Sequence, residues 1–298
     1  MKEIDVYQVD AFTDRLFGGN PAGVVTNAGV LTDDEMQKVA REMNLSETAF
    51  VLEPSSLEEA DMRLRFFTPN NEVKFCGHAT VGALLQLATL NQFGLGNAGD
   101  NRIRVETRAG ILPMTVSNGK GRAEVSFIAP QLDMTPYHLQ GNDFTEAFGV
   151  PAELIDAGST ILLDRNLNYI YVPTTSLELL GKQVFDFGHI RDRFGKESVT
   201  VFCFFSKETV EAISDLHARG LAPNVGVDED PFTGSMQAGL MYAARQNGYV
   251  DPDKPSIITE QGHFIGRPGK AEVSHDTITN EFTVTAGAVP VFSSAWRI

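Results

Sequence analysis

EVKFCGHATVG, residues Glu72–Gly82, and EDPFTGSMQAG, residues Glu229–Gly239, share one skeleton: Glu, two residues, Phe, one residue, Gly, four residues, Gly. The offset is constant, since 229 − 72, 232 − 75, 234 − 77 and 239 − 82 all give 157. That is close to half of the 298 residues, and the length suffices for two domains with a core each. The chain therefore reads as two similar halves, placed at residues 1–128 and 129–298, with the last strand a candidate to return to the first half. The segment from about Gln131 to Asp156 carries the crossing between them.

Both stretches open apolar helices. After His78 the residues Val81, Ala83, Leu84, Leu85, Leu87, Ala88 and Leu90 are apolar nearly all round, which predicts an enclosed helix from His78 to about Leu90. The second, TGSMQAGLMYAARQNG, ends at Gly248 with Arg245 in its last turn. A third helix, LTDDEMQKVAREMN, is amphipathic. Thr32 and Glu35 make a capping box, and Met36, Val39, Ala40 and Met43 share one face. Strands fill the rest. In the first half they are IDVYQVDAF, TAFVLE, MRLRFFT and the run NRIRVETRAGILPMTVSNGKGRAEVSFI; TDRLFGGNPAG reads as a loop. In the second half they are YIYVPT, VTVFCFFS, SIITEQG, KAEVSHDTI and EFTVTAGAVPVF. The fold class is α+β, with each half a barrel-like, mostly antiparallel sheet around one central helix.

Composition is globular, with 42% hydrophobic and 21% charged residues and a net charge of −15. No Lys/Arg cluster offers a basic face, so nucleic acid is not an expected partner. An anionic ligand stays open, because helix N-termini make a pocket locally positive. Two cysteines, Cys76 and Cys203, make neither a disulfide framework nor a zinc pattern and suit a reducing compartment. The N-terminus lacks a signal-peptide core, and no apolar run reaches the roughly 20 residues of a membrane span, so a cytoplasmic protein is expected. No dinucleotide, Walker, zinc-protease or nucleophile-elbow motif occurs, and no cofactor or metal is called for.

The two helix starts are the candidate site. A helix N-terminus has unpaired N–H groups and partial positive charge, and glycine lets a ligand approach the backbone. Two such starts facing one cleft would suit a carboxylate and the enolate-like charge that develops when a proton leaves the adjacent carbon. The plainer alternative is that Gly77 and Gly234 merely turn strand into helix. Cys76 is placed to be an activated thiol. Its counterpart at 157 is Thr233, so a pair of thiols is missing, and residues two apart at a helix start are not expected to face each other. Cys76 is read first as a small structural residue, and Cys203, in VFCFF, as an inert buried thiol. Glu47, beside Ala49, Phe50 and Val51, is the acid/base candidate if partly desolvated; on spacing alone a surface glutamate is the plainer reading. Asp230 is a candidate for holding a ligand or orienting His78, or simply a turn aspartate before Pro231. His138, His189, His217, His263 and His275 have no paired spacing and read as incidental.

DAFTDRLFGGNPAGVV, NLSETAFV, RFFTPNNEVKFCGHATVGA, EDPFTGS and EQGHFIGRPG, in this order, resemble the PhzF-like proteins of phenazine biosynthesis across nearly the whole chain. The resemblance implies the diaminopimelate epimerase-like fold, two pseudo-symmetric halves with the active site between them, and usually a homodimer. It implies a cofactor-independent isomerase that moves a proton on a small carboxylic acid. Glu47 matches the family's catalytic glutamate, and His78, Asp230 and Ser235 its supporting polar residues. Ser46, Gly77, Thr233 and Gly234 are assigned to substrate binding. Phe232 and Met236 are bulkier than the Ala common at their places, and Gly269 replaces a common Ser. Two other readings stay open: a Cys76-dependent racemase or hydrolase, and a non-catalytic binder of small acids.

Overall fold

The computed structural model describes residues 1–119, 121–138 and 144–298, and its strands run twice through one plan. One unit comprises residues 1–128 and 285–298, the other residues 129–284. Of the crossing segment, residues 139–143 lie outside the described residues, as does Lys120 in the predicted strand run.

The first unit holds β1 (Glu3–Ala11), β2 (Asn20–Val25), β3 (Glu47–Leu52), β4 (Met62–Phe67), β5 (Glu72–Val73), β6 (Gly99–Thr107), β7 (Gly110–Asn118) and β8 (Ala123–Ile128). The second holds β9 (Met134–Pro136), β10 (Leu162–Asp164), β11 (Tyr169–Pro173), β12 (Val201–Ser206), β13 (Leu216–Ala222), β14 (Val227–Asp230), β15 (Ser256–Gln261) and β16 (Gly269–Asp276). β17 (Glu281–Ala286) carries the chain out of the second unit, and β18 (Ala288–Arg297) pairs antiparallel with β1 in the first.

The pairings repeat in sense as well as in order. β2–β3 and β11–β12 are parallel, and β3–β4 and β12–β13 are antiparallel. β4–β6 and β13–β15 are parallel, and β6–β7 and β15–β16 are antiparallel. Short β5 and β14 add to β4 and β13. TDRLFGGNPAG is only partly loop. Its NPAG begins β2, where Pro21 lies opposite Asp10 and the parallel pairing to β3 starts at Ala22, so the missing proline N–H breaks no bond to β3.

Helix α1 (Asp33–Met43) carries the capping box, with Glu35 N donating to Thr32 Oγ1 and Thr32 N to Glu35 Oε2, and buries Met36, Val39 and Ala40. Helix α2 (Gly77–Thr89) is buried at every residue from His78 to Ala88, against β1, β2, β3, β8 and β18. The sheet can enclose it because its strands alternate: Ile103 and Val105, Met114 and Val116, Val125 and Phe127 point inward.

In the second unit the sequence reading missed α3 (Phe144–Phe148), α4 (Leu177–Lys182) and α5 (Phe187–Phe194). Two carried a legible signal. Ser176 and Asp186 cap α4 and α5 by accepting from the N–H three residues on. These helices cover the Phe202 and Phe204 face of β12. β12 is thus buried along its whole length, which is why VFCFF does not alternate. The second central helix differs from the first. A 3-10 turn at Gly234–Met236 precedes α6 (Gln237–Gln246), and Gly248, in the left-handed region at φ 68°, ends it.

The shared Glu of the two skeleton stretches has a mechanical role. Arg65 on β4 donates from Nε and Nη2 to Glu72 at 2.8 and 2.9 Å, and Arg219 on β13 does the same to Glu229 at 2.9 and 2.6 Å. The two arginines hold equivalent register, Arg65 opposite Phe50 and Arg219 opposite Phe204. Each clamp ties the sheet to the chain just ahead of a helix start.

Two measurements follow from this packing. Arg219 and Glu229 are each 8% exposed, so Glu229→Gln strands a buried guanidinium and should cost about 3–5 kcal/mol in urea unfolding. Asp34→Asn, which breaks an exposed pair with Lys38, should cost less than about 1 kcal/mol. The last skeleton glycines should also differ. A Cβ on Gly82 meets only Ala22 and Val9 carbons at 3.4 and 3.5 Å, whereas one on Gly239 lies 2.1 Å from the hydroxyl of fully buried Tyr171. Gly82→Ala should therefore stay within about 1 kcal/mol of the parent, its helix propensity gain offsetting tight contact. Gly239→Ala should destabilise by about 1–3 kcal/mol or more. Equal effects would refute this account.

Candidate active site

In the first unit the site begins where β3 starts and α2 starts. Ser46 and Glu47 come at the mouth of β3, just after α1 ends at left-handed Asn44. Cys76 is extended at φ −146° and ψ 115° and precedes the first helical residue, Gly77. His78 lies one residue into the helix.

These side chains converge. His78 Nε2 is 3.3 Å from Glu47 Oε2 and 3.2 Å from Ser46 Oγ. Cys76 Sγ is 3.3 Å from His78 Nδ1 and 3.8 Å from Nε2. The expectation that Cys76 and His78 do not face each other is thus corrected. Helical spacing does not apply to them, because Cys76 is still extended and its side chain leaves the backbone in a different direction. Cys76 and His78 are each 8% exposed, and the Glu47 side chain is 21% exposed. Burial raises the Glu47 carboxyl above its usual range, while hydrogen bonds from Ser46 and Cys76 pull it partly back. By contrast, Cys203 is wholly buried, and burial pushes its thiol well above the ordinary value.

The second unit answers with hydroxyls. Thr233 Oγ1 donates to Asp230 Oδ2 at 2.6 Å, and Ser235 Oγ lies 3.0 Å from the Tyr169 hydroxyl. Gly234 opens the 3-10 turn between them. Neither helix start has a side-chain cap, at Cys76 or at Thr233.

Sequence reasoning missed the residue that organises this second cluster. Gln261, fully buried, donates from Nε2 to the Asp230 carbonyl at 2.7 Å and accepts on Oε1 from Thr233 N at 3.2 Å. A side chain on Gly220 would strike both Gln261 and Thr233 at 2.8 Å. Nothing local in the sequence marked Gln261, which ends a strand, SIITEQ, that also carries Ser256, Thr259 and Glu260. Two of the remaining histidines have defined structural partners. His217 is wholly buried, its Nδ1 2.8 Å from Glu260 Oε1, and His275 Nδ1 accepts from Arg245 at 2.8 Å. Burial would raise the Glu260 carboxyl, but hydrogen bonds from His217 and from the Val210 and Glu211 N–H groups bring it down to about 2. No linear spacing reveals this pair, because adjacent parallel strands β13 and β15 bring it together.

Known relatives place the chain in a family. A family model described as phenazine biosynthesis-like protein (PhzC-PhzF) matches residues 9–294. The chain is 34% identical over 298 residues to an uncharacterized isomerase of Bacillus subtilis, YfhB, with 98% of each covered. It is similar to the crystal structure of the Bacillus anthracis phenazine biosynthesis protein of the PhzF family, with a TM-score of 0.88, 26% identity and full coverage of both chains. A hydroxyproline epimerase from Agrobacterium vitis, solved with bound trans-4-hydroxy-L-proline, shares the fold at a TM-score of 0.60 and 11% identity, over 99% of this chain and 91% of that one. The fold is therefore that of the diaminopimelate epimerase-like enzymes, and the protein is an isomerase. Within that class the chain belongs to the phenazine biosynthesis-like PhzF family. Among the described residues no helix is long and apolar enough to cross a membrane.

The raised Glu47 carboxyl has a sign that can be measured. Its folded form binds a proton more tightly than the unfolded form, for which the ordinary value is 4.5. The parent therefore loses stability as pH rises from that value through the folded pKa, as the buried group must charge. Glu47→Gln removes this loss. Relative to the parent, the variant should gain stability with rising pH across that window and keep a constant advantage above it, as read from urea midpoints. An advantage that grows toward acid pH would contradict the burial argument.

Proposed function

We propose that this isomerase moves a proton on a small carboxylic acid with Glu47 as the general acid/base. The observation that carries the reading is the Glu47 carboxyl itself: largely enclosed, raised by burial, and flanked by His78, Ser46 and Cys76. A carboxyl brought towards neutrality can both take a proton from carbon and return it. His78, with Nε2 beside Glu47 and Nδ1 beside the thiol, is suited to steadying that carboxylate. Asp230, Thr233 and Ser235 are proposed to hold the substrate through its polar groups, together with the uncapped N–H groups around Gly77 and Gly234. The reading includes a cytoplasmic homodimer, on the strength of the family resemblance and of two cysteines that form no disulfide.

A second reading rests on the Cys76 contact. A thiol 3.3 Å from an imidazole nitrogen can pass its proton there and act as base or nucleophile, as a racemase or hydrolase would use it.

One experiment separates these readings from a mere binder of small acids. Small cyclic and amino carboxylic acids are screened by thermal shift, and each hit is followed by NMR in D₂O. Deuterium should appear at carbon, and Glu47→Gln should slow the exchange by about 10²–10⁴-fold, the usual worth of a general acid/base. Cys76→Ser should leave most of the exchange in place. Loss with Cys76→Ser and retention with Glu47→Gln would transfer the role to the thiol. Binding with no exchange for any hit would favour the binder.

A further inference from the structure

We propose that Glu47, Cys76 and His78 together form a site for a thiophilic divalent cation of the zinc type, and that the ion, when bound, switches the proposed catalytic glutamate off. The three donors are a thiol sulfur, an imidazole nitrogen and a carboxylate oxygen, each a zinc ligand in its own right. One such atom from each residue lies within 4.8 Å of the others. Around His78 the separations are 3.3 Å from Nε2 to Glu47 Oε2, and 3.3 and 3.8 Å from Nδ1 and Nε2 to Cys76 Sγ. A tetrahedral zinc with bonds of about 2.0–2.3 Å holds its ligands about 3.3–3.6 Å apart. The sulfur sits nearer Nδ1 than Nε2, so closing on an ion beside Nε2 takes a rotation of the Cys76 side chain about its Cα–Cβ bond. Ser46 Oγ, 3.2 Å from Nε2, or a water completes the fourth position.

Charge favours the ion. Binding breaks the thiol S–H bond and forms an S–metal bond, with the proton released to solvent, and a carboxylate and a thiolate then neutralise the double charge. A neutral cluster suits residues as enclosed as Cys76 and His78, while the partly open Glu47 leaves a path in. Because the ion occupies the Glu47 oxygen, it competes directly with proton transfer. The switching rests on the proposed role of Glu47, whereas the binding goes beyond it and is read without activity.

The full chain, stripped with chelator and kept reduced, is dialysed against Zn²⁺ and titrated with Co²⁺. One zinc per chain should bind with a Kd below about 10 μM, and Cys76→Ser and His78→Ala should each weaken it at least about tenfold. Cobalt should give the near-ultraviolet thiolate-to-metal charge-transfer band. That band assigns the ion, because the other such cluster among the described residues, His217–Glu260–His263, carries no sulfur. Absence of zinc binding at that concentration, a cobalt complex without the thiolate band, or a folded Cys76→Ser protein that binds zinc as tightly as the parent would each overturn the proposal. If either variant fails to fold, the band in the parent protein decides alone. Where the exchange assay finds a substrate, zinc should stop the exchange and chelator should restore it.

Discussion

Two arginine–glutamate clamps, one buried and one partly buried, set the geometry on which the rest depends. A helix enclosed by a sheet must begin somewhere, and its first N–H groups need a defined place. Arg65 and Arg219 each fix the glutamate that stands five residues before the helix glycine, so the chain arrives at the helix mouth from a strand that cannot drift. A bidentate fork defines orientation as well as distance, which a lysine would not. Desolvating four charges costs free energy that such pairs only partly recover. Arg219 offsets more of it by donating also to the Leu180 and Gln183 carbonyls, which draws the end of α4 into the same arrangement. The clamps therefore say less about net stability than about position.

On this common frame the two helix mouths have diverged in chemistry. The first gathers a carboxylate, an imidazole and a thiol around one histidine. The second gathers an aspartate, a threonine and a serine held by buried Gln261 and by Tyr169. The difference extends to the backbone. α2 is helical from Gly77, whereas the second start makes a 3-10 turn before α6, and Gln237 donates its side-chain amide to the Thr233 carbonyl there. Gly82 and Gly239, equivalent in sequence, likewise serve different ends: modest packing against Val9 and Ala22 in one, room for the Tyr171 hydroxyl in the other.

Most of the fold was legible because it rests on periodicity and repetition. The enclosed helices, the capping box at Thr32 and Glu35, and most strands follow from local pattern. The helices α4 and α5 were within reach through Ser176 and Asp186, but they are short, and their apolar faces hold too few turns to stand out. The contacts at the site are a different matter. The convergence of Glu47 and His78 joins a strand start to a helix start 31 residues on (78 − 47), and that of His217 and Glu260 joins two parallel strands. Neither leaves a spacing rule in the chain. The Cys76–His78 contact was misjudged for a more specific reason: a helical rule was applied to a residue whose backbone had not yet turned.

That contact bears on how one glutamate could manage a proton in both directions. A carboxyl raised by burial alone holds its proton firmly and is a poor base in the resting state. Glu47 instead sits between opposing effects, burial raising it and the Ser46 and Cys76 hydrogen bonds lowering it. His78 adds a hydrogen-bonding partner whose Nε2 lies 3.3 Å from the carboxylate. In the proposed reaction an ionised Glu47 can accept from the Ser46 hydroxyl or the Cys76 thiol, and once Glu47 is protonated the thiol can turn to His78 Nδ1, 3.3 Å from Sγ. A duplicated thiol pair would divide the two proton steps between two halves. A carboxyl with switchable neighbours lets one half carry both, which is consistent with threonine standing where the second thiol would be.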